Sequence, residues 1–166
     1  MIKHKDQRVG VFVDVANMYH SAKNLYGARV NFKEILKSAV GGRKLVRAIA
    51  YVVKSNNADE ETFFEALSCQ GFEVKMKDLQ IFAGGAKKAD WDVGISVDAI
   101  TLASKVDVVV LVTGDGDYIP LVEYLKYHGH LVEVIAFRET TSSALQEISD
   151  DYIDLSLNKK AYLIRK

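Results

Sequence analysis

A chain of 166 residues with 49% hydrophobic content can bury one sizeable core, so it needs neither a disulfide framework nor a structural zinc to fold. Its single cysteine, Cys69, falls within a predicted helix and reads as a buried thiol, which excludes disulfide scaffolds and cysteine-ligated zinc sites. The formal net charge is zero, which argues against a general electrostatic hold on nucleic acid but permits a locally basic lip beside an acidic site.

The chain starts on a polar segment, residues 1–8, with Lys3, His4, Lys5 and Arg8. No apolar leader follows it, and no run approaches the ~20 residues that span a bilayer, so a cytoplasmic protein without membrane insertion is expected. Val9 to Val13 reads as a buried strand stopped by Asp14, and a helix carrying Asn17, Met18 and Tyr19 should follow, the last two as core residues. Asn31 before Phe32, Ile35, Leu36 and Ala39 supplies the cap and spacing of a second helix, which Gly41 and Gly42 end. Leu45 to Val53 is the next strand, and Arg43, Lys44 and Arg47 around its start read as surface charges. A helix with Phe63, Phe64, Ala66 and Leu67 then closes at Gly71, and Phe72 to Met76 forms a third strand that Ile81 and Phe82 extend or pair with.

The glycines of FAGGAKKAD mark a flexible loop, after which Asp90 or Asp92 starts a helix through Ile95, Ala99, Ile100 and Leu102. Val106 to Val112 is the most apolar segment and reads as a central strand covered on both faces. It ends at Thr113, and GDGDYIP turns into a helix, with Gly114 and Gly116 allowing unusual dihedrals, Asp117 as N-cap and Pro120 in the first turn. Leu131 to Phe137, Ser142 to Ile148 and Tyr152 to Leu155 add a strand, a short helix and an edge strand, and 158–166 is a basic tail. Such alternation predicts one α/β domain over 9–157, a three-layer α/β/α sandwich around a mostly parallel sheet.

Acidic residues gather where that fold brings them together. Asp14, Asp92, Asp115 and Asp117 each lie at the end of an apolar run or the start of a helix, places that converge on the crevice beyond the carboxyl ends of the strands. Crowded carboxylates repel by about 4 kcal/mol per close pair at an effective dielectric near 20. A hard, oxygen-liganded cation such as Mg²⁺ or Mn²⁺ offsets that repulsion, although each Asp taken alone is also a good helix cap or turn residue. Asp92 and Asp98 lie about 120° apart on a helix, so only one points squarely into the site; Asp92, in the first turn, is preferred, and Asp98 reads as a partner for a nearby helix terminus or lysine. Lys87 and Lys88 are candidate phosphate contacts, Trp91 and Tyr118 are either base-stacking or packing residues, and His20, His128 and His130 show no zinc spacing and are read as non-catalytic.

Asp14-x-x-Asn17, the Asp92-x5-Asp98 helix preceded by Lys88, and the strand ending in Thr113-Gly114-Asp115-Gly116-Asp117-Tyr118 resemble the NYN domain, in particular its bacterial LabA-like branch within the PIN-like nuclease superfamily. The resemblance covers roughly Val9 to Leu155. It implies a PIN-like fold and a divalent-metal-dependent ribonuclease site. Asp14, Asn17, Asp92, Asp115 and Asp117 stand on the matching positions, with Asp98 and Thr113 in supporting ones and single-stranded RNA as substrate. Two other classes stay open: a non-catalytic RNA-binding or regulatory adaptor on the same fold, and a metal-dependent phosphatase. Ala16 speaks against the phosphatase, because an aspartyl-nucleophile enzyme would carry a second Asp there. Oligomeric state is not fixed by the sequence.

Overall fold

A computed structural model describes residues 3–165. In chain order the elements are β1 (Arg8–Asp14), α1 (Val15–Tyr26), β2 (Arg29–Val30), α2 (Phe32–Val40), β3 (Lys44–Lys54), α3 (Glu60–Cys69) and β4 (Glu73–Asp78). There follow β5 (Gln80–Ile81), β6 (Lys87–Lys88), α4 (Asp92–Ala103), β7 (Val108–Val112), α5 (Ile119–Tyr127), β8 (Leu131–Ala136), α6 (Ser143–Ile148), β9 (Asp151–Asp154), α7 (Lys159–Tyr162) and β10 (Leu163–Ile164). A short 3₁₀ turn, Gly116–Tyr118, leads into α5.

Six strands form the central sheet in the order β4-β3-β1-β7-β8-β9, and every neighbouring pair is parallel. Chain order runs outward in both directions from the β1–β7 junction, so the crevice where ligands bind in open α/β sheets opens at the carboxyl ends of those two strands. Strand alternation divides the interior into two cores. Val9, Val11 and Val13 of β1, with Val108, Val110 and Val112 of β7, pack against α1, α2 and α3. Phe12, Val109 and Leu111 face α4, α5 and α6. All five residues of β7 are fully buried, each worth roughly 1.5–3 kcal/mol relative to exposure. The three-layer reading from the sequence therefore holds.

Several local expectations do not. Cys69 is exposed: Leu67 is the one fully buried residue of α3, and a position two further along turns about 200° away from it. Met18 is buried, but Tyr19, about 100° around α1, is exposed. Arg43 is not a surface charge. Just past the end of α2 it folds inward, donating to the backbone oxygens of Ala39 at 2.8 Å and Val40 at 3.0 Å, and meeting Glu133 of β8 at 2.6 and 3.1 Å. Arg47 does stay at the surface, paired with Glu73. Ile81 does not extend β4; β5 and β6 form a separate hairpin around Gly84 and Gly85, and Phe82 lies in its turn. The basic tail packs, because β10 pairs antiparallel with β2 and α7 lies against α2, where Ser38 and Tyr162 hydroxyls meet at 2.8 Å.

Candidate metal centre

Asp14 closes β1 and caps α1, its Oδ1 accepting from the Asn17 backbone N–H at 3.2 Å. Capping and a place in the crevice are thus compatible rather than alternative. Asn17, one turn on, accepts at its Oδ1 from the Gly114 N–H at 3.0 Å, which ties α1 to the loop after β7, and it lines the cleft. Thr113 lies between strands: its hydroxyl approaches Asp14 Oδ2 at 3.5 Å and accepts from the Asp115 N–H at 3.2 Å.

The sequence GDGD is shaped by crowding. A Cβ on Gly114 would stand 2.9 Å from the backbone oxygen of Thr140, and one on Gly116 would stand 3.0 Å from Ser142 Oγ. Neither glycine has a positive φ among the described residues, so close approach, not an unusual dihedral, is what demands them. The cap of this turn is Asp115, which accepts from the Asp117 N–H at 2.9 Å. Asp117 is not the cap, and its carboxylate stays free in the first turn.

Three carboxylates converge as a result. Asp92 from the first turn of α4, and Asp115 and Asp117 from the loop after β7, each bring an oxygen within 4.8 Å of the others. They line a cleft of about 390 Å³ with Asp14, Asn17, His20, Asp90 and Trp91. Asp14 is not one of the three. It lies in the floor at 8% exposure, and burial pushes its carboxyl up to about 6 against the capping bond from Asn17, with Asp92 and Asp115 adding repulsion. Asp92 is raised as well, first by burial and then by Asp115, Asp90 and Asp117 against the bond from Tyr118.

Tyr118 joins floor and rim, and no motif in the sequence pointed to that role. It is 1% exposed, so it does not stack on a base; its hydroxyl donates to Asp92 Oδ1 at 3.1 Å and lies 3.4 Å from Asp14 Oδ2. One hydroxyl proton serves one carboxylate at a time. Burial, followed by the charges of Asp14 and Asp92, raises the Tyr118 hydroxyl above its ordinary value, so it remains a donor. Trp91 is also a packing residue, donating its indole N–H to the Val52 oxygen at 2.9 Å with the Lys77 ammonium 4.4 Å over its ring.

Asp98 lies away from the cluster, accepting from Tyr51 and Lys75, each at 2.7 Å. Burial raises its carboxyl, but those two partners outweigh burial and leave it below the ordinary value. Lys87 and Lys88 are exposed on β6, immediately before the cleft residues Ala89 and Asp90. His20 stands on the cleft rim, whereas His128 caps the end of α5 by contact with the Tyr124 oxygen at 2.8 Å. No described helix is long and apolar enough to cross a membrane.

Comparison with known proteins identifies the family. The NYN domain family matches residues 8–157. Low amplitude and bright protein LabA of Synechococcus elongatus is 26% identical over 160 residues, covering 92% of this chain and 86% of that protein. The uncharacterized protein MJ0482 of Methanocaldococcus jannaschii is 31% identical over 152 residues, covering 90% of this chain but 56% of its own length, so the chain spans about half of that relative. A crystal structure of a protein of unknown function, VPA0982 from Vibrio parahaemolyticus, matches with a TM-score of 0.88 and 32% identity over 99% of this chain and 100% of that one. With the acidic cluster at the β1–β7 junction, these matches make the chain a member of the NYN domain family, in the PIN-like nuclease superfamily.

Proposed function

We propose that this protein is a divalent-metal-dependent ribonuclease that hydrolyses phosphodiester bonds of single-stranded RNA. The observation that carries the reading is the convergence of Asp92, Asp115 and Asp117 within 4.8 Å, over the buried Asp14, at the point where strand order reverses. The donor set consists of carboxylate oxygens alone, the chemistry of a Mg²⁺ or Mn²⁺ site rather than a zinc or copper one. Asp92, Asp115 and Asp117 would hold the ion, with Asp14 as the fourth carboxylate beneath them. Bound there, such an ion supplies a Lewis acid for the phosphoryl oxygen and a water of lowered pKa.

The chain's own groups do the positioning. Asn17, fixed by Gly114, presents amide donors to a phosphate oxygen, and Thr113 holds Asp14 and the start of the Asp115 turn in register. Tyr118 fixes the orientation of Asp92 with its hydroxyl. Lys87 and Lys88, on the hairpin that leads into the cleft, contact the RNA backbone.

Incubating purified protein with end-labelled single-stranded RNA and Mn²⁺ tests the reading. Cleavage should be abolished by EDTA and reduced at least about 100-fold by Asp115→Asn, whose amide is a poorer ligand but preserves the cap. Salt-sensitive RNA binding without cleavage would assign the protein to the adaptor class. Release of inorganic phosphate from small phosphoesters, with RNA left intact, would assign it to the phosphatases.

A further inference from the structure

Strand β6 runs straight into the wall of the acidic cleft. Ala89, Asp90, Trp91 and Asp92 line that cleft, and Lys87 and Lys88 immediately precede them, so the β5–β6 hairpin is built onto its rim. Four Cα steps separate Lys88 from Asp92, at most about 14 Å of extended chain. The root of the hairpin is held to the body: Lys77 donates to the Asp90 oxygen at 2.7 Å, and the Leu79 N–H donates to the Lys54 oxygen at 3.0 Å. Beyond that root the hairpin stands in solvent. Every residue from Gln80 to Lys88 is exposed, and a Cβ added at Gly84 or Gly85 would meet nothing within 4 Å.

A hairpin of two paired positions gains little stability of its own, yet this one holds Ile81 and Phe82 out of the core. The register sets Gln80 opposite Lys88 and Ile81 opposite Lys87, and the Phe82 N–H carries the ladder on to the Ala86 oxygen at 2.7 Å. Side chains alternate along a strand, which puts Gln80, Phe82, Ala86 and Lys88 on one face. The Phe82 ring thus shares its face with a methyl group, an amide and an ammonium. Of the chain's seven phenylalanines, all among the described residues, only Phe82 is exposed. The other exposed aromatic side chains among the described residues, Tyr19, Tyr124 and Tyr127, already lie against the rings of His20 and His128. Trp91 and Tyr118, closer to the carboxylates, are committed to packing. Carboxylates repel the phosphates of a substrate, whereas an aromatic face holds a nucleobase without regard to that charge. We propose that Phe82 stacks on an unpaired base flanking the bond held in the cleft, with Lys88 against the adjoining phosphate, which makes Phe82 a specificity-determining residue for single strands. The inference deepens the ribonuclease reading and rests on it. Position decides the occupant: the molecule that meets a ring on the rim of the cleft is the one that fills the cleft.

The test separates stacking from charge. Anisotropy in EDTA compares a fluorescein-labelled oligouridylate of about 12 nucleotides with a fully abasic strand of the same length and phosphate count. Wild type should bind the base-carrying strand about tenfold more tightly. Phe82→Ala should lose that preference while its affinity for the abasic strand stays unchanged. Phe82→Trp should keep the preference, and Phe82→Leu, apolar but without an aromatic face, should behave like the alanine variant. Circular dichroism melts should be the same for all four proteins, since the side chain lies outside the core. The absence of a preference in wild type, or its persistence in Phe82→Ala, overturns the proposal. Equal weakening on both strands in Phe82→Ala also overturns it, because the ring would then only support the hairpin, and so does full affinity in Phe82→Leu, which would assign an apolar contact instead of stacking. Because binding is read in EDTA, a Phe82-dependent preference for bases without Mn²⁺-dependent cleavage would refute the ribonuclease reading and leave the stacking assignment standing. Metal-dependent cleavage with no base preference would do the reverse.

Discussion

Asp14 offers the most direct test of the electrostatics of the cleft, because its cost to the metal-free fold follows from its burial. The carboxyl rises from an ordinary 3.8 to about 6, chiefly by burial, with Asp92 and Asp115 adding to the effect. A raised carboxyl means that the folded chain holds its proton more tightly than the unfolded chain does. Ionised Asp14 therefore destabilises the fold fully above pH 6 and not at all below pH 4. The rise corresponds to roughly 3 kcal/mol at most. Asp14→Asn removes the charge while its Oδ1 can still accept from the Asn17 N–H, so in EDTA at pH 8 the variant should be more stable by about 1–3 kcal/mol. At about 2–4 °C per kcal/mol for a domain of this size, the melting temperature should rise by about 2–12 °C. Urea unfolding of both proteins from pH 4 to pH 8 measures the difference, which should fall to near zero at pH 4. Mn²⁺ should then stabilise wild type more than the variant. A difference that is independent of pH, or an Asn variant less stable than wild type at pH 8, would refute the assignment of Asp14 as a buried, destabilising charge.

Other outcomes follow from the same contacts. Tyr118→Phe keeps the buried ring but removes the hydroxyl that orients Asp92, so Mn²⁺ affinity by calorimetry should fall about tenfold while the melting temperature in EDTA moves only a few degrees. Lys87→Ala/Lys88→Ala should weaken RNA binding a few-fold and flatten its salt dependence without altering Mn²⁺ affinity; unchanged RNA binding removes the hairpin from the site. Arg43→Met leaves buried Glu133 with only the Lys3 ammonium, 3.6 Å away, and should cost up to about 3–5 kcal/mol in urea unfolding, most of it recovered by adding Glu133→Leu.

The layered fold was legible because its signals are periodic and long. Valine-rich β7 and the i, i+3, i+4, i+7 positions of α2 leave little choice of structure, and the crevice follows from alternation of strand and helix. The carboxylates could be nominated for the same reason, since Asp14, Asp92 and Asp115 sit at element junctions. What escaped the sequence was determined by contacts distant in the chain. Arg43 looks like a surface charge until β8, 90 residues on, presents Glu133 to it. Tyr118 looks like a packing aromatic until β1 and α4 bring Asp14 and Asp92 to either side of its hydroxyl. Gly114 reads as a turn residue, whereas the restriction comes from Thr140 in a different loop.

The separate fates of Asp92 and Asp98 show how the site is held from behind. Helix periodicity sends the two to different sides of α4, and only Asp92 reaches the acidic cluster. Yet the N-cap residue of α4, Trp91, makes no side-chain cap bond, and the Asp92 N–H finds only Asp90 Oδ1 at 3.4 Å. Support for the first turn of α4 comes from Trp91, anchored by the indole bond to Val52, and from Lys77, which donates to the Asp90 oxygen at 2.7 Å and covers the Trp91 ring. Gly94 makes room for that ring, since a Cβ there would stand 2.6 Å from it. On its other flank the indole meets Tyr51 at 5.2 Å between ring centroids, and Tyr51 donates to Asp98. Asp98 thus bears on the acidic cluster through Tyr51 and Trp91, by steadying the aromatic pair beside the start of α4. A carboxylate six residues from Asp92, turned away from it, still bears on where the Asp92 side chain points.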